Sequence, residues 1–418
     1  MMRVLNHGLF VTPACYALVG AMLVVAGCGK DKKDDGDNAL QEKLGPAFAT
    51  ASDARVKDFI AGLPVVKLSA ADAAKLDCLA FGSLDDFWED CPVVVPFKGL
   101  KVLDKDNKEV ESVSVTTEGQ ERTLTVTKEG QEPKTVVQEF DAEGRITKQT
   151  PSFVGGSTSV TREFGSAANP FKPTLVGDTR YTYGGNGVPA DMVSLEEELE
   201  DGKVRRRTRT SCEGLICTEV TEERPNGFGF SAPKKDFVET AKTVTTYLGA
   251  IGGIPARVET SEDGLTRIDE ATFKDNKYAG NTYSGKERGE NEEELTVSGG
   301  CTVELPNTFN CTETLTNAAG TMVQEVTYSS KLVVAIRGDS FDFDISEFSY
   351  SGTDGSGKIV RDTSGRLKSF SNENEEKTST VEQTLEYSGD GLLPTKVNSK
   401  VKGEDDAEVT AVNYVYTY

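Results

Sequence analysis

The sequence predicts a mainly β protein: a long antiparallel meander, extended or wrapped, behind a small helical N-terminal segment. Three observations carry this expectation. From about Val93 onward the apolar residues recur with a period of two, as in "RTLTVTK", where Leu124 and Val126 alternate with threonines, and in "TVEQTLEY", which puts Val381, Gln383, Leu385 and Tyr387 on one face. Turn signals interrupt these runs every eight to twelve residues or so. Hydrophobic residues make up only 37% of the chain, which suits a thin architecture with much solvated surface better than a thick core.

Residues 1–27 read as a secretory signal, with Arg3 ahead of the apolar run "ALVGAMLVVAG", no acid, and too short a run for a membrane span. Val25-Ala26-Gly27-Cys28 resembles the lipobox of bacterial lipoproteins, an aliphatic residue and two small ones before a cysteine. The resemblance implies a diacylglyceryl thioether on Cys28, removal of the peptide before it, and acylation of the new amine. Three acyl chains, at about 0.8 kcal/mol per buried methylene, hold a protein to a bilayer essentially permanently. Gly29 stands where an aspartate would resemble an inner-membrane retention signal, so the outer membrane is favoured. Residues 28–38 form a lipidated tether, "GKDKKDDGDN" after the cysteine, too charged to pack. Its acidic run Asp31–Asp37 is similar to the surface-export signal of some Bacteroidetes lipoproteins, a resemblance that implies a β region at the cell surface. The periplasmic face is the alternative.

Residues 39–92 carry three helix signals. Thr50-x-x-Asp53 is a capping box, Val56, Phe59 and Ile60 make an apolar face, and Gly62 with Pro64 ends the helix. Ser69-x-x-Asp72 starts a second helix with Leu76, Leu79 and Ala80 inward. Ser83-x-x-Asp86 starts a third, short one carrying Phe87 and Trp88. Asp85, Asp86, Glu89 and Asp90 crowd around Trp88. A calcium or sugar site is one reading of that cluster; a solvated rim around a buried tryptophan is the preferred one.

The β region is expected to span 93–418, with the Pro/Gly-rich stretch at 224–233 as the best candidate for an internal boundary. In "SLEEELEDGKVRRRTRT" the Asp201-Gly202 pair is a strong hairpin signal. Folding there sets Glu200 opposite Lys203, Glu198 opposite Arg205, Glu197 opposite Arg206 and Glu196 opposite Arg207, so the arginines are matched by their own hairpin rather than by nucleic acid. Once Cys15 in the signal and Cys28 are set aside, six cysteines fall into local pairs, Cys78/Cys91, Cys212/Cys217 and Cys301/Cys311, expected as disulfides in an oxidising compartment. Cys78–Cys91 ties the second helix to the segment after the third; the other two staple hairpins. Gly352-x₄-Gly357-Lys358 approaches a phosphate-binding loop, but Ile359 stands where a hydroxyl should reach magnesium, and the flanks read as strands.

A recurring pattern of an aromatic, a glycine-bearing turn and an aliphatic appears in "EFDAEGRITK" (139–148), "YTYGGNGVPADMV", "TYLGAIGGIPARV" and "EYSGDGLLPTKV", with "RDTSGRLKSF" as a fainter copy. Phe140-Asp141-x-x-Gly144-Arg145-Ile146 resembles the tyrosine-aspartate (YD, Rhs-type) repeat, with Phe for the usual Tyr, and the other copies are read as losing the Asp-Arg pair. That resemblance implies β-hairpins stacked into extended sheets or shells, often on cell surfaces and sometimes linked to carbohydrate binding. It implies no catalytic residues.

The chain's only histidine, His7, lies in the signal, which excludes Ser-His-Asp and Cys-His catalysis and any histidine-ligated metal from the mature protein. Losing Arg3 moves the formal charge from −22 to −23, which repels nucleic acid and anionic headgroups. No cofactor or metal site is expected. The reading is a non-catalytic binding or structural module, held to the membrane by lipid, with a protein or carbohydrate ligand. A carboxylate-dependent glycan-active enzyme is the alternative. A lipidated outer-membrane barrel stands behind it, because the final strand "AVNYVYTY" aligns Val412, Tyr414, Tyr416 and Tyr418 on one face.

Overall fold

The computed structural model describes residues 53–69, parts of 71–75, and most of 93–417, the longer omissions falling at 151–158, 184–191, 225–236 and 403–409. Helix α1 is Ala54–Gly62. The strands are β1 (Val65–Leu68), β2 (Gly99–Leu103), β3 (Glu109–Glu118), β4 (Glu121–Lys128), β5 (Lys134–Phe140), β6 (Ile146–Thr150), β7 (Val160–Phe164) and β8 (Pro173–Val176). Then come β9 (Thr179–Tyr183), β10 (Met192–Glu200), β11 (Lys203–Glu213), β12 (Ile216–Glu223), β13 (Val238–Tyr247), β14 (Pro255–Glu262), β15 (Leu265–Lys274) and β16 (Lys277–Arg288). The chain continues with β17 (Glu294–Glu304), β18 (Thr308–Thr316), β19 (Met322–Arg337), β20 (Ser340–Gly352), β21 (Gly355–Arg361), β22 (Leu367–Asn374), β23 (Thr380–Tyr387), β24 (Pro394–Lys402) and β25 (Thr410–Thr417). Every strand pairing with a described register is antiparallel, so the fold is mainly β and antiparallel.

The chain divides into two compact units: residues 1–67 with 179–354, and residues 68–178 with 355–418. In the first, β9 to β20 pair in chain order as an up-and-down sheet. β12 and β13, on either side of the stretch at 224–233, pair along their length within one sheet, and residues 225–236 themselves lie outside the described residues. Alternate residues point to opposite faces, and one face is polar from strand to strand. The cross-strand row Arg257–Glu270–Thr282–Gly300–Thr312–Thr327–Ser351 shows it.

Helix α1 belongs to this unit. Val56, Phe59, Ile60 and Leu63 recur at helical spacing and are 3% exposed or less. Phe59 meets Tyr278 and Phe309, each at 5.6 Å between ring centres. The cap is Asp53, whose side chain accepts from the Arg55 N–H at 2.8 Å, so the helix starts at Ala54 rather than after Thr50. Asp53 adopts the extended backbone of an N-cap, which displaces it from the N3 place the sequence pattern assigned. The second cap is where the sequence puts it: Ser69 Oγ accepts from the Asp72 N–H at 3.0 Å. The remainder of the second helix, the third, Trp88 with its acids, and Cys78 and Cys91 lie outside the described residues, as do residues 1–52 with Cys28.

In the second unit, β2 pairs on one side with β3 and on the other with β25, so the last strand of the chain closes onto the first of this sheet. One face is again polar: Ser114–Thr125–Thr135 and Glu118–Glu121–Glu139–Lys148–Thr161 are cross-strand rows. On the other face Leu100, Val113, Leu124 and Val136 are 5% exposed or less and pack with Val93, Val95 and Phe97. This inward segment supplies the apolar surface that the thin sheet lacks.

Four hairpins share one turn, at Asp104, Asp141, Asn317 and Asp362. In each, the side-chain Oδ1 accepts the N–H groups two and four residues on, at 2.9–3.1 Å. The fourth residue of the turn has positive φ: Asn107 (61°), Gly144 (77°), Gly320 (76°) and Gly365 (81°). Each is followed by a one-residue bulge. At Asp141 and Asp362 the other oxygen takes an arginine Nε at 2.6 Å, from Arg145 and Arg366. The copy at 361–370 therefore reproduces the Asp-Arg pair of the first in full. Burial opposes the charge of Asp141, but hydrogen bonds from Arg145 outweigh it and hold the carboxyl below its usual range. Its stabilisation is thus present above the ordinary carboxylate pKa and is lost as pH falls through the depressed folded value.

Asp141→Ala is expected to cost about 2 kcal/mol in chemical denaturation, and Asp141→Asn less than half of that, because the amide keeps the backbone acceptor and loses only the ion pair. Equal losses in the two variants would show that the backbone bonds contribute nothing.

Candidate functional site

The densest buried charge in the described residues lies on the less polar face of the first unit. Two cross-strand rows build it: Thr260–Arg267–Gly285–Val297–Leu315, and Val258–Asp269–Tyr283–Gly299–Glu313. Arg267 on β15 reaches Glu313 on β18, three strand spacings away, or about 14 Å at ~4.8 Å each. Two glycines make the reach possible. Gly285 stands directly opposite Arg267 and Gly299 directly opposite Tyr283, so no side chain blocks the guanidinium.

Arg267 holds three carboxylates: Glu313 at 2.6 Å, Glu287 at 3.0 Å and Asp269 at 3.3 Å. The side chains of Arg267 and Glu313 are 8% and 2% exposed. Burial opposes the arginine's charge, yet the Glu313 hydrogen bond and the surrounding carboxylates hold its pKa above the ordinary value. Burial drives Asp269 and Glu287 upward, against the attraction of Arg267. Beneath the guanidinium, at 5.4 Å, lies the Tyr283 ring. The Tyr283 hydroxyl sits 2.8 Å from that of Tyr328 and 2.6 Å from Cys301 Sγ.

Cys301 is disulfide-bonded to Cys311, and Cys212 to Cys217. Both pairs are direct cross-strand partners, so each bridge locks one register. Among the described residues no group of His, Cys, Asp and Glu is disposed to hold a metal ion. Chemically, the Arg267 cluster is a fixed charge network with two carboxyls disposed to take protons; its arginine is permanently charged.

The arginines of the β10–β11 hairpin are paired within their own sheet, but one residue away from the register the sequence suggests. Glu200 does face Lys203; Glu198 faces Arg206, Glu197 faces Arg207 and Glu196 faces Thr208. A bulge causes the slip. Leu199 pairs with Val204 and Glu198 with Arg206, leaving Arg205 as the extra residue, whose carbonyl instead accepts the Arg224 N–H at 3.0 Å. Arg206 bridges Glu198 (3.4 Å) and Glu223 (3.3 Å), and Arg207 bridges Glu222 (2.7 Å). Arg207 and Arg224 also lie over the Phe237 ring, at 4.1 and 4.6 Å. In the near-phosphate loop, Gly352 ends β20 while Gly357 and Lys358 lie within β21, so no helix N-terminus is present to receive a phosphate.

Residues of the Arg267 cluster do not stand out in the sequence. The available signal was "YSGKE", where Tyr283, Gly285 and Glu287 share one face of a strand that carries a glycine in its interior.

No protein-family model matches the chain, and no curated protein matches it. Among solved structures it is similar to a porin-like protein from Bacteroides vulgatus, with 11% identity over 71% of this chain and 96% of that one, at a TM-score of 0.18.

Proposed function

We propose that this protein is an outer-membrane lipoprotein, anchored through lipid on Cys28, whose β region is a non-catalytic binding or structural module at the cell surface. The observation that carries the reading is Val25-Ala26-Gly27-Cys28 ahead of a charged tether. The sheets support it. Rows of Thr, Ser, Glu, Lys and Arg cover one face of each sheet, and such a face suits water. No helix among the described residues is long and apolar enough to cross a membrane. The repeated Asp-x-x-Gly-Arg hairpins fit a surface module of the YD type, for which a protein or carbohydrate is the expected ligand and nucleic acid is not.

Cys28→Ser is expected to move the protein from the membrane to the soluble fraction. Protease added to intact cells should shave the wild type. Retention of the serine variant in membranes overturns the anchor, and full protection until the outer membrane is broken places the β region in the periplasm.

A further inference from the structure

In the second unit, Arg122 on β4, Gln138 on β5 and Gln149 on β6 are direct cross-strand partners on the inward face. They are 2%, 1% and 0% exposed. Among the described residues Arg122 is held by the carbonyl of Phe97, to which Nη2 donates at 3.1 Å, and by the Phe97 ring, 4.7 Å away. It meets no carboxylate among the described residues. Among the described residues, no aspartate or glutamate of this unit is buried. Desolvation accordingly pulls Arg122 down to about 10. A buried charge without a counter-charge costs several kcal/mol and is rarely left so.

The glutamines are incompletely satisfied too. Gln138 Nε2 donates to Gln149 Oε1 at 2.8 Å, while Gln138 Oε1 and Gln149 Nε2 have no hydrogen-bond partner. Flipping both amides exchanges the names and leaves the same result, one orphan donor and one orphan acceptor. The row therefore lacks three things: a negative charge, an acceptor and a donor. Water supplies the last two but not the charge. A small singly charged oxyanion that still carries a proton supplies all three.

We infer that the Arg122–Gln138–Gln149 row is an internal binding site for a small protonated oxyanion, of the class of hydrogencarbonate or dihydrogen phosphate. The guanidinium provides the charge and two or more N–H donors, one glutamine amide donates, and the other accepts the anion's hydroxyl. Phe97 closes the site by receiving Arg122 with both its carbonyl and its ring, which ties the occupancy of the site to the docking of the 93–97 segment.

The test is calorimetric titration of the full chain with inorganic phosphate in mildly acidic buffer at fixed ionic strength, where the singly charged form predominates. One bound anion per chain is expected. Arg122→Met should abolish binding, and Gln138→Leu with Gln149→Leu should weaken it about tenfold or more while leaving the arginine in place. The methionine variant should fold, since it removes an uncompensated buried charge; the double glutamine variant tests the site even if it does not. Sulfate, which carries no proton, should bind more weakly than phosphate. The inference is overturned if phosphate produces no saturable heat, or if the wild type and the double glutamine variant bind alike, which would mark a surface or general salt effect.

Discussion

Glu313→Ala is expected to destabilise the protein by about 3–5 kcal/mol, the range for breaking a buried ion pair by removing one partner. Glu313 is the least exposed carboxylate of its cluster and makes the shortest contact with Arg267, 2.6 Å. Without it the buried guanidinium keeps, among the described residues, Asp269 and Glu287 as its acids. Those two are pushed toward protonation by burial, so they compensate poorly. Asp269→Asn should behave oppositely, near neutral or slightly stabilising, because it removes a carboxylate that burial already disfavours. The two variants also differ in pH dependence. Asp269 and Glu287 have folded pKa values raised above their unfolded ones, so their contribution is full below the unfolded carboxylate pKa and is lost as pH rises through the raised value. Wild-type stability should therefore climb as pH falls from neutrality into the mildly acidic range, and Asp269→Asn should flatten that climb. Urea midpoints across the range measure both effects. A Glu313→Ala loss below about 1 kcal/mol would reduce the cluster to the status of an exposed ion pair.

Gly299→Ala should cost about 3 kcal/mol or more, although it adds a single methyl to a strand. Gly299 has φ of +143°, and a Cβ there would lie 2.1 Å from the Thr312 carbonyl oxygen. That oxygen is backbone and cannot swing aside, so β17 and β18 must part or Gly299 must change conformation. Either movement disturbs the Cys301–Cys311 register two residues away and the space through which Arg267 reaches Glu313. The control is Gly214→Ala, in the β11–β12 turn, where the same added atom meets nothing within 4 Å and only the positive φ of 59° counts. Thermal unfolding of the two variants should separate the clash from the conformational cost, with Gly299→Ala the larger by a clear margin. Equal shifts would mean that the close approach carries no weight.

Neither residue draws notice in the sequence, and the reason is physical. Period-two alternation reports that Leu124, Val126 and Leu385 lie on strand faces, because that pattern follows from backbone geometry alone. It does not say which face is covered when both faces are rich in threonine and glutamate, as here. Turn chemistry is equally local: Asp141 and Asp362 fold their own hairpins, and the sequence shows them as a motif. Register is more fragile. The bulge at Arg205 moves Arg206 and Arg207 by one partner, and it lies within the strand pair, where no turn signal in the sequence marks it.

The strands, the Asp-x-x-Gly-Arg turn at 141–145 and the apolar stripe of α1 are legible in the sequence, since each depends on contacts within about ten residues of chain. Tertiary structure alone decided which distant polar groups meet. Arg267 and Glu313 are separated by 46 positions, Arg122 and Phe97 by 25, and the chain's last strand pairs with β2. Those meetings depend on how many strands intervene and which positions among them carry no side chain. The buried charge of this protein is arranged by glycines and strand order, which hydrophobic periodicity does not encode.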